Sequence, residues 1–210
     1  MVTPSRAAAW SLLCEFTRTA PLRRHALSVE VSMRALAGRA GVDDPAEREL
    51  WGVVGLLHDF DYERYPTAED HVWRGMEILR ARGWPERVVR GVGVHAAYTG
   101  LQPETPLERA IVAADELSGF VGACALVRPS RSVRDLPVES VVKKMKDKAF
   151  ARAVDRDEIR RGAALVGLAL PDLVRLIIEA QAPVADLLGI GGAPPPEVPD
   201  EPVPPLPAGG

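Results

Sequence analysis

LLHDFDYERYPTAEDHVWRG, residues 56–75, ends an apolar run on the doublet His58-Asp59 and brings a second histidine, His71, shortly after. The chain of 210 residues contains only 4 histidines, so this short stretch holds half of them. Upstream of the doublet, Leu50, Val53, Val54 and Leu57 recur at three and four, the period of a helix buried along one face. The fold is decided by whether that period continues in both directions.

It does. Apolar residues elsewhere also recur at three and four rather than alternating, and Ala, Leu, Arg and Glu dominate where a sheet protein would use Thr, Tyr and Phe. The pattern predicts an all-α fold, a helical bundle of about eight or nine helices in one domain over residues 1–190. Helices are expected near 5–18, 21–40, 45–58, 69–81, 85–96, 106–122, 138–149, 155–166 and 170–188. Asp44-Pro45, Pro85, Pro106, Asp155 and Pro171 mark starts, and Gly41, Gly83 and Gly100 mark exits. From residue 191 the sequence is GGAPPPEVPDEPVPPLPAGG, with eight prolines in twenty residues. Such a segment cannot continue a helix and has little to bury, so 191–210 is expected to be a disordered, proline-rich tail acting as a solvated spacer.

Composition narrows the function. A net charge of -3 gives no overall attraction to nucleic acid, and no dedicated nucleic-acid binding is expected. The 2 cysteines, Cys14 and Cys124, match no disulfide framework or thiolate metal spacing. No apolar stretch approaches the ~18 residues that span a bilayer, and the first residues lack a leader's apolar core. A cytoplasmic protein without membrane association is the expectation; the oligomeric state is not encoded.

The polar residues carry the chemistry. His25 is in phase with Val29, Met33 and Leu36, and His95 continues Val88 and Val92. Asp115 lies on the stripe of Leu107, Ile111 and Ser118, and His58-Asp59 close the apolar run of the opening stretch. His71 is expected to open a helix, with Gly75 one turn on leaving room for another group's approach. A single histidine on an apolar face is ordinarily a core residue bonded to a carbonyl, and Asp115 alone reads as an acceptor of a bond from a neighbouring helix. Four histidines and two aspartates all facing inward are better explained by a shared divalent cation, because its charge compensates carboxylates in a poorly solvated centre. Imidazole and carboxylate donors without thiolates suit Mn, Fe, Ni or Zn, with Mg admissible.

The ordered set His25, His58-Asp59, His71, His95, Asp115 resembles the HD superfamily of metal-dependent phosphohydrolases. The local contexts LRRHALSVE, GLLHDFDYE, HVWRGMEIL and AADELSG carry the resemblance, which covers about residues 20–122. The helices that follow also look like those of a small, HDIG-like bacterial group. Phe60-Asp61 stands where Ile-Gly is common in a related subgroup and no GYP-type signature follows, so cyclic di-GMP cleavage is not implied. What the resemblance implies is an HD-domain enzyme with one or two metal ions. His25, His58, Asp59 and Asp115 would hold one ion; His71 and His95 would hold a second, with Asp59 bridging. His58 and Asp59 would then be central to catalysis, the hydrolysis of a phosphomonoester, phosphodiester or phosphoanhydride of a nucleotide or other small phosphorylated metabolite.

Phosphate also needs cationic partners, and Arg128, Arg131, Lys143, Lys144 and Lys148 are the candidates. The lysines flank a stripe of Val138, Val142, Met145 and Ala149, which fits a solvated helix face equally well. Asp61 and Glu63 read either as partners orienting the histidines or as polar residues at a helix exit, and Tyr98 as a stacking or packing residue. Rival readings are a dinucleoside polyphosphatase, a non-catalytic metal-containing module that binds a phosphorylated ligand, and a helical scaffold with satisfied core histidines.

Overall fold

The structure, a computed structural model, describes residues 4–201, 204 and 206. It is all-helical among those residues: α1 (Arg6–Phe16), α2 (Ala20–Arg39), α3 (Pro45–Leu57), α4 (Trp73–Ala81), α5 (Glu86–Val94), α6 (Pro106–Leu126), α7 (Val138–Lys144), α8 (Arg156–Leu165), α9 (Leu170–Gln181) and α10 (Ala185–Leu188). The starts follow the chemistry expected of them. Asp44 and Asp155 accept first-turn N–H groups of α3 and α8, and Thr105 with Glu108 forms a capping box on α6.

The two longest helices, α2 and α6, form the centre and pack on each other; α3 and α9 lie against both. The core at their junction includes Leu27, Val29 and Met33 of α2, Val53, Val54 and Leu57 of α3, and Ile111, Leu117 and Phe120 of α6, all fully buried. The crossing of α2 and α3 is unusually close. A Cβ on Gly55 would lie 2.9 Å from the Glu30 Cα, so only a glycine lets the two backbones approach there. Three residues on, that approach sets His58 beside the helix that carries His25.

Four helix boundaries differ from the expected ones. The segment 59–72 is a series of turns, so α4 begins at Trp73 and His71 precedes the helix instead of opening it. α7 ends at Lys144, where Asp147 draws the Lys144 ammonium and the N–H groups of Ala149 and Phe150 into a turn. α6 runs on to Leu126, since nothing in its apolar stripe interrupts it. The last expected helix breaks after Gln181, because Pro183 has no N–H to donate, and one turn of α10 follows.

The described residues of the proline-rich segment form neither helix nor strand beyond an isolated bridge between Ser132 and Gly191. Its described part is nonetheless seated on the bundle rather than projecting as a spacer. Val198 is buried, Arg24 donates to the Pro196 carbonyl, and Arg23 donates to the Val198 carbonyl and pairs with Asp200 at 2.6 Å. Proline removes donors but leaves carbonyl acceptors, and two arginines on α2 use them. Most of the expected disordered stretch beyond Glu201 lies outside the described residues.

Gly55→Ala is expected to cost about 1–3 kcal/mol by overpacking the α2–α3 crossing. Urea unfolding would measure it; a variant as stable as the parent would show that the crossing tolerates a side chain.

Candidate metal centre

Five elements deliver six side chains to one place. His25 comes from the second turn of α2, His58 and His95 from the C-terminal ends of α3 and α5, and Asp115 from the middle of α6. Asp59 and His71 come from the turns between α3 and α4. His25 Nε2 lies 3.1 Å from Asp115 Oδ1 and 3.2 Å from His58 Nε2, and His58 Nε2 lies 3.3 Å from the same Asp115 oxygen. On the other side, His71 Nε2 and His95 Nε2 each lie 3.1 Å from Asp59 Oδ1, while Asp59 Oδ2 is 3.5 Å from His58 Nε2. Two triads with ligand-capable atoms within 4.8 Å of one another result: His25, His58 and Asp59, and Asp59, His71 and His95. Asp59 belongs to both.

The backbone fixes which nitrogen each ring presents. His58 Nδ1 donates to the Gly55 carbonyl at 2.8 Å and His95 Nδ1 to the Val92 carbonyl at 2.6 Å, each three residues back along its helix. With Nδ1 committed, Nε2 is left to face the cluster as a lone-pair donor. His71 Nδ1 is bonded to Asp61 Oδ1 at 3.1 Å in the same way.

Asp61 does more than orient a ring. Its Oδ2 accepts the N–H groups of Val72 at 3.1 Å and Gly75 at 3.0 Å, so this buried carboxylate caps the entry to α4 while holding His71. A Cβ at Gly75 would stand 2.9 Å from the Asp61 carboxyl carbon, so the group that approaches this glycine is Asp61. Between ring and helix, Val72 adopts φ 68 and ψ -49, a conformation that costs a β-branched residue on the order of 1–3 kcal/mol. Glu63, by contrast, accepts the N–H groups of Arg18 and Thr19 ahead of α2 and takes no part in the centre.

The electrostatics favour a cation. Burial alone would raise the Asp59 and Asp115 carboxyls, yet the surrounding imidazoles hold both well below the usual carboxylate range. Burial would likewise lower the histidines, but His58 is raised by Asp59 and Asp115, His95 by Asp59, and His71 is pushed to about 9 by Asp59 and Asp61. Uncompensated carboxylates thus draw positive charge into the cluster. Imidazole nitrogens and carboxylate oxygens at these separations fit a divalent cation in either triad.

Over the cluster lies a cavity of about 440 Å³, walled by the histidines other than His58 and by Tyr62, Tyr98 and Glu116. Burial and the adjacent Asp115 push the Glu116 carboxyl up to about 7. Glu116, Tyr62 and Glu158 were not singled out in the sequence, and Asp155 only as a helix start, because a helical period shows which residues face inward but not which flank a cavity. Tyr98 does face it, half exposed.

The expected phosphate-binding cations do not. Arg128, Lys143 and Lys144 line a separate cavity near the α6–α7 connection, Arg128 paired with Asp135 and Lys144 with Asp147. Arg131 occupies the following turn at φ 51, and none of the four lines the cavity over the cluster. Because α7 stops at Lys144, Lys143 and Lys144 form the last turn of a short helix that packs on α9 and α6. No family model, curated protein or solved structure matches this chain.

The raised His71 sets a pH dependence. In the cation-free protein its proton stabilises the fold fully below the ordinary 6.5, and this contribution is lost as pH rises through about 9. A cation must displace that proton, so divalent-metal affinity and the rise in Tm on adding metal should both increase from pH 6.5 to 9. Thermal melts with and without metal test this; a metal-induced shift that does not change with pH would contradict it.

Proposed function

We propose that the chain is a metal-dependent phosphohydrolase of the HD type, acting on a small phosphorylated metabolite. The observation that carries this reading is the sharing of Asp59 between two His/Asp triads at the floor of a cavity large enough for a phosphate ester. His25, His58, Asp59 and Asp115 would hold one ion, and Asp59, His71 and His95 a second. Divalent cations there would acidify water for attack on phosphorus and offset the charge that develops on the phosphoryl oxygens.

The protein's own groups account for the rest. Nδ1 bonds to Gly55 and Val92 carbonyls and to Asp61 keep the three Nε2 atoms aimed at the centre without reorganisation. Among the described residues no Lys or Arg lines the cavity, whose wall also carries Glu116, Asp155 and Glu158. An anionic substrate would therefore be repelled unless positive charge resided at the cluster, which ties binding as well as reaction to the metal. Tyr62 packs edge-on to His71 at 5.0 Å and, with Tyr98, offers an aromatic border beside the reacting position.

Phosphate release from a panel of phosphate esters and anhydrides, with Mn, Fe, Ni or Zn supplied, tests the proposal. The expected result is turnover that Asp59→Ala abolishes and Asp61→Asn reduces by about 10–100-fold, the usual loss when the partner of a metal ligand is removed. Substrates recovered intact with every metal would leave a ligand-binding module instead.

A further inference from the structure

The cavity over the cluster has a neighbour of opposite character. Ala153, Val154 and Asp155 form a wall common to it and to a second cavity of about 600 Å³, bordered by Lys146, Lys148, Arg152 and Arg156. The first cavity holds carboxylates and no Lys or Arg; the second holds five basic residues and two acidic ones, Asp155 and Asp157. The change of sign occurs across three residues.

The connection between α7 and α8 is built to present these charges. Arg156 turns its guanidinium into the loop, donating to the carbonyls of Asp147, Phe150, Ala151 and Val154, and lies 5.1 Å over the Phe120 ring. Phe150 packs edge-on against Phe120 at 5.7 Å. Ala151 is held at φ 41, a left-handed conformation that an unconstrained alanine avoids. One arginine and one phenylalanine therefore fix the loop.

The acids nearby are already engaged. Asp147 pairs with Lys144 at 3.0 Å, Asp157 with Arg160 at 2.6 Å, and Asp155 accepts the N–H groups of Asp157 and Glu158. Among the described residues no carboxylate pairs with Lys146, Lys148 or Arg152, and all three are exposed. Three cations without counter-charges, on a loop that walls the candidate metal site, raise the local concentration of anions at its edge.

We infer that Lys146, Lys148 and Arg152 form an anion subsite that seats a second phosphoryl group of the substrate, while the phosphoryl group to be attacked sits over the His/Asp cluster. The assignment rests on the phosphohydrolase reading for the first group but not for the second. It selects small polyphosphorylated molecules over monophosphate esters: the acidic cavity accepts only as much anionic charge as its metals offset, and the basic loop takes the remainder. Specificity between such substrates then depends on the α7–α8 loop, and the chemistry on the cluster.

Equilibrium calorimetry on the full-length, manganese-loaded chain tests this without requiring turnover. The probes are the non-hydrolysable bis-methylene analogue of inorganic triphosphate and methylphosphonate, which has one anionic group. The inference expects Lys148→Ala/Arg152→Ala to weaken the triphosphate analogue by about tenfold or more, as loss of a charge-assisted contact does, and to leave methylphosphonate within about twofold. Lys143→Ala, at a residue that does not line the second cavity, should change neither. Equal affinity of variant and parent for the analogue, or no binding of it by the parent, would overturn the subsite. So would a single-stranded oligonucleotide that binds more tightly than the analogue through the same residues, because the loop would then be a nucleic-acid surface. Loop-dependent binding without hydrolysis of any phosphate would retain the subsite and remove the enzyme.

Discussion

The carboxylate of Asp59 is the constraint on which the centre depends. It stands within hydrogen-bonding distance of His71 and His95 through one oxygen and faces His58 through the other. A partly buried carboxylate among imidazoles is costly unless positive charge compensates it, and each surrounding ring is arranged to leave a nitrogen toward it. Burial and charge act in opposite directions on five of the six side chains, and charge prevails: Asp59 and Asp115 are held low and His58, His71 and His95 are raised. That balance is what a cation site requires before the cation arrives.

The bundle supplies this arrangement through helix ends more than through helix middles. Adjacent residues on a helix diverge by about 100°, so His58 and Asp59 act on one centre only because α3 stops at Leu57 and the chain turns. His95 likewise follows the last residue of α5, and its ring is tied back to that helix by the Val92 carbonyl. The glycine at 55 brings α2 close enough for His25 to meet His58, and the glycine at 75 leaves the space that the Asp61 carboxylate fills. The strain at Val72 is sustained between these fixed points.

Much of this was legible in the sequence. The phase of His25 with Val29 and Met33, and of Asp115 with Ile111 and Ser118, fixed their inward direction, because a helix of known period leaves little freedom about which face a residue occupies. The part outside regular structure was not legible. Asp61 reads either as a partner of a histidine or as a polar residue at a helix exit until the turns of 59–72 bring it beneath His71 and α4. The α7–α8 loop is shaped by Arg156 and Phe150, contacts between residues whose spacing follows no period. Arg128, Arg131, Lys143 and Lys144 were chosen for charge alone, and charge does not say on which side of a bundle a residue lies. Lys148, named on the same ground of charge, falls instead beside the candidate site.

The most direct measurement of the central claim is the metal content of the 210-residue chain after equilibration with manganese and removal of loosely held ions by gel filtration. The account expects one or two ions per chain, lost when His25 and His71 are both replaced by alanine in a protein that keeps its helical content. A parent protein that retains no metal under these conditions and melts at the same temperature with and without manganese would contradict it.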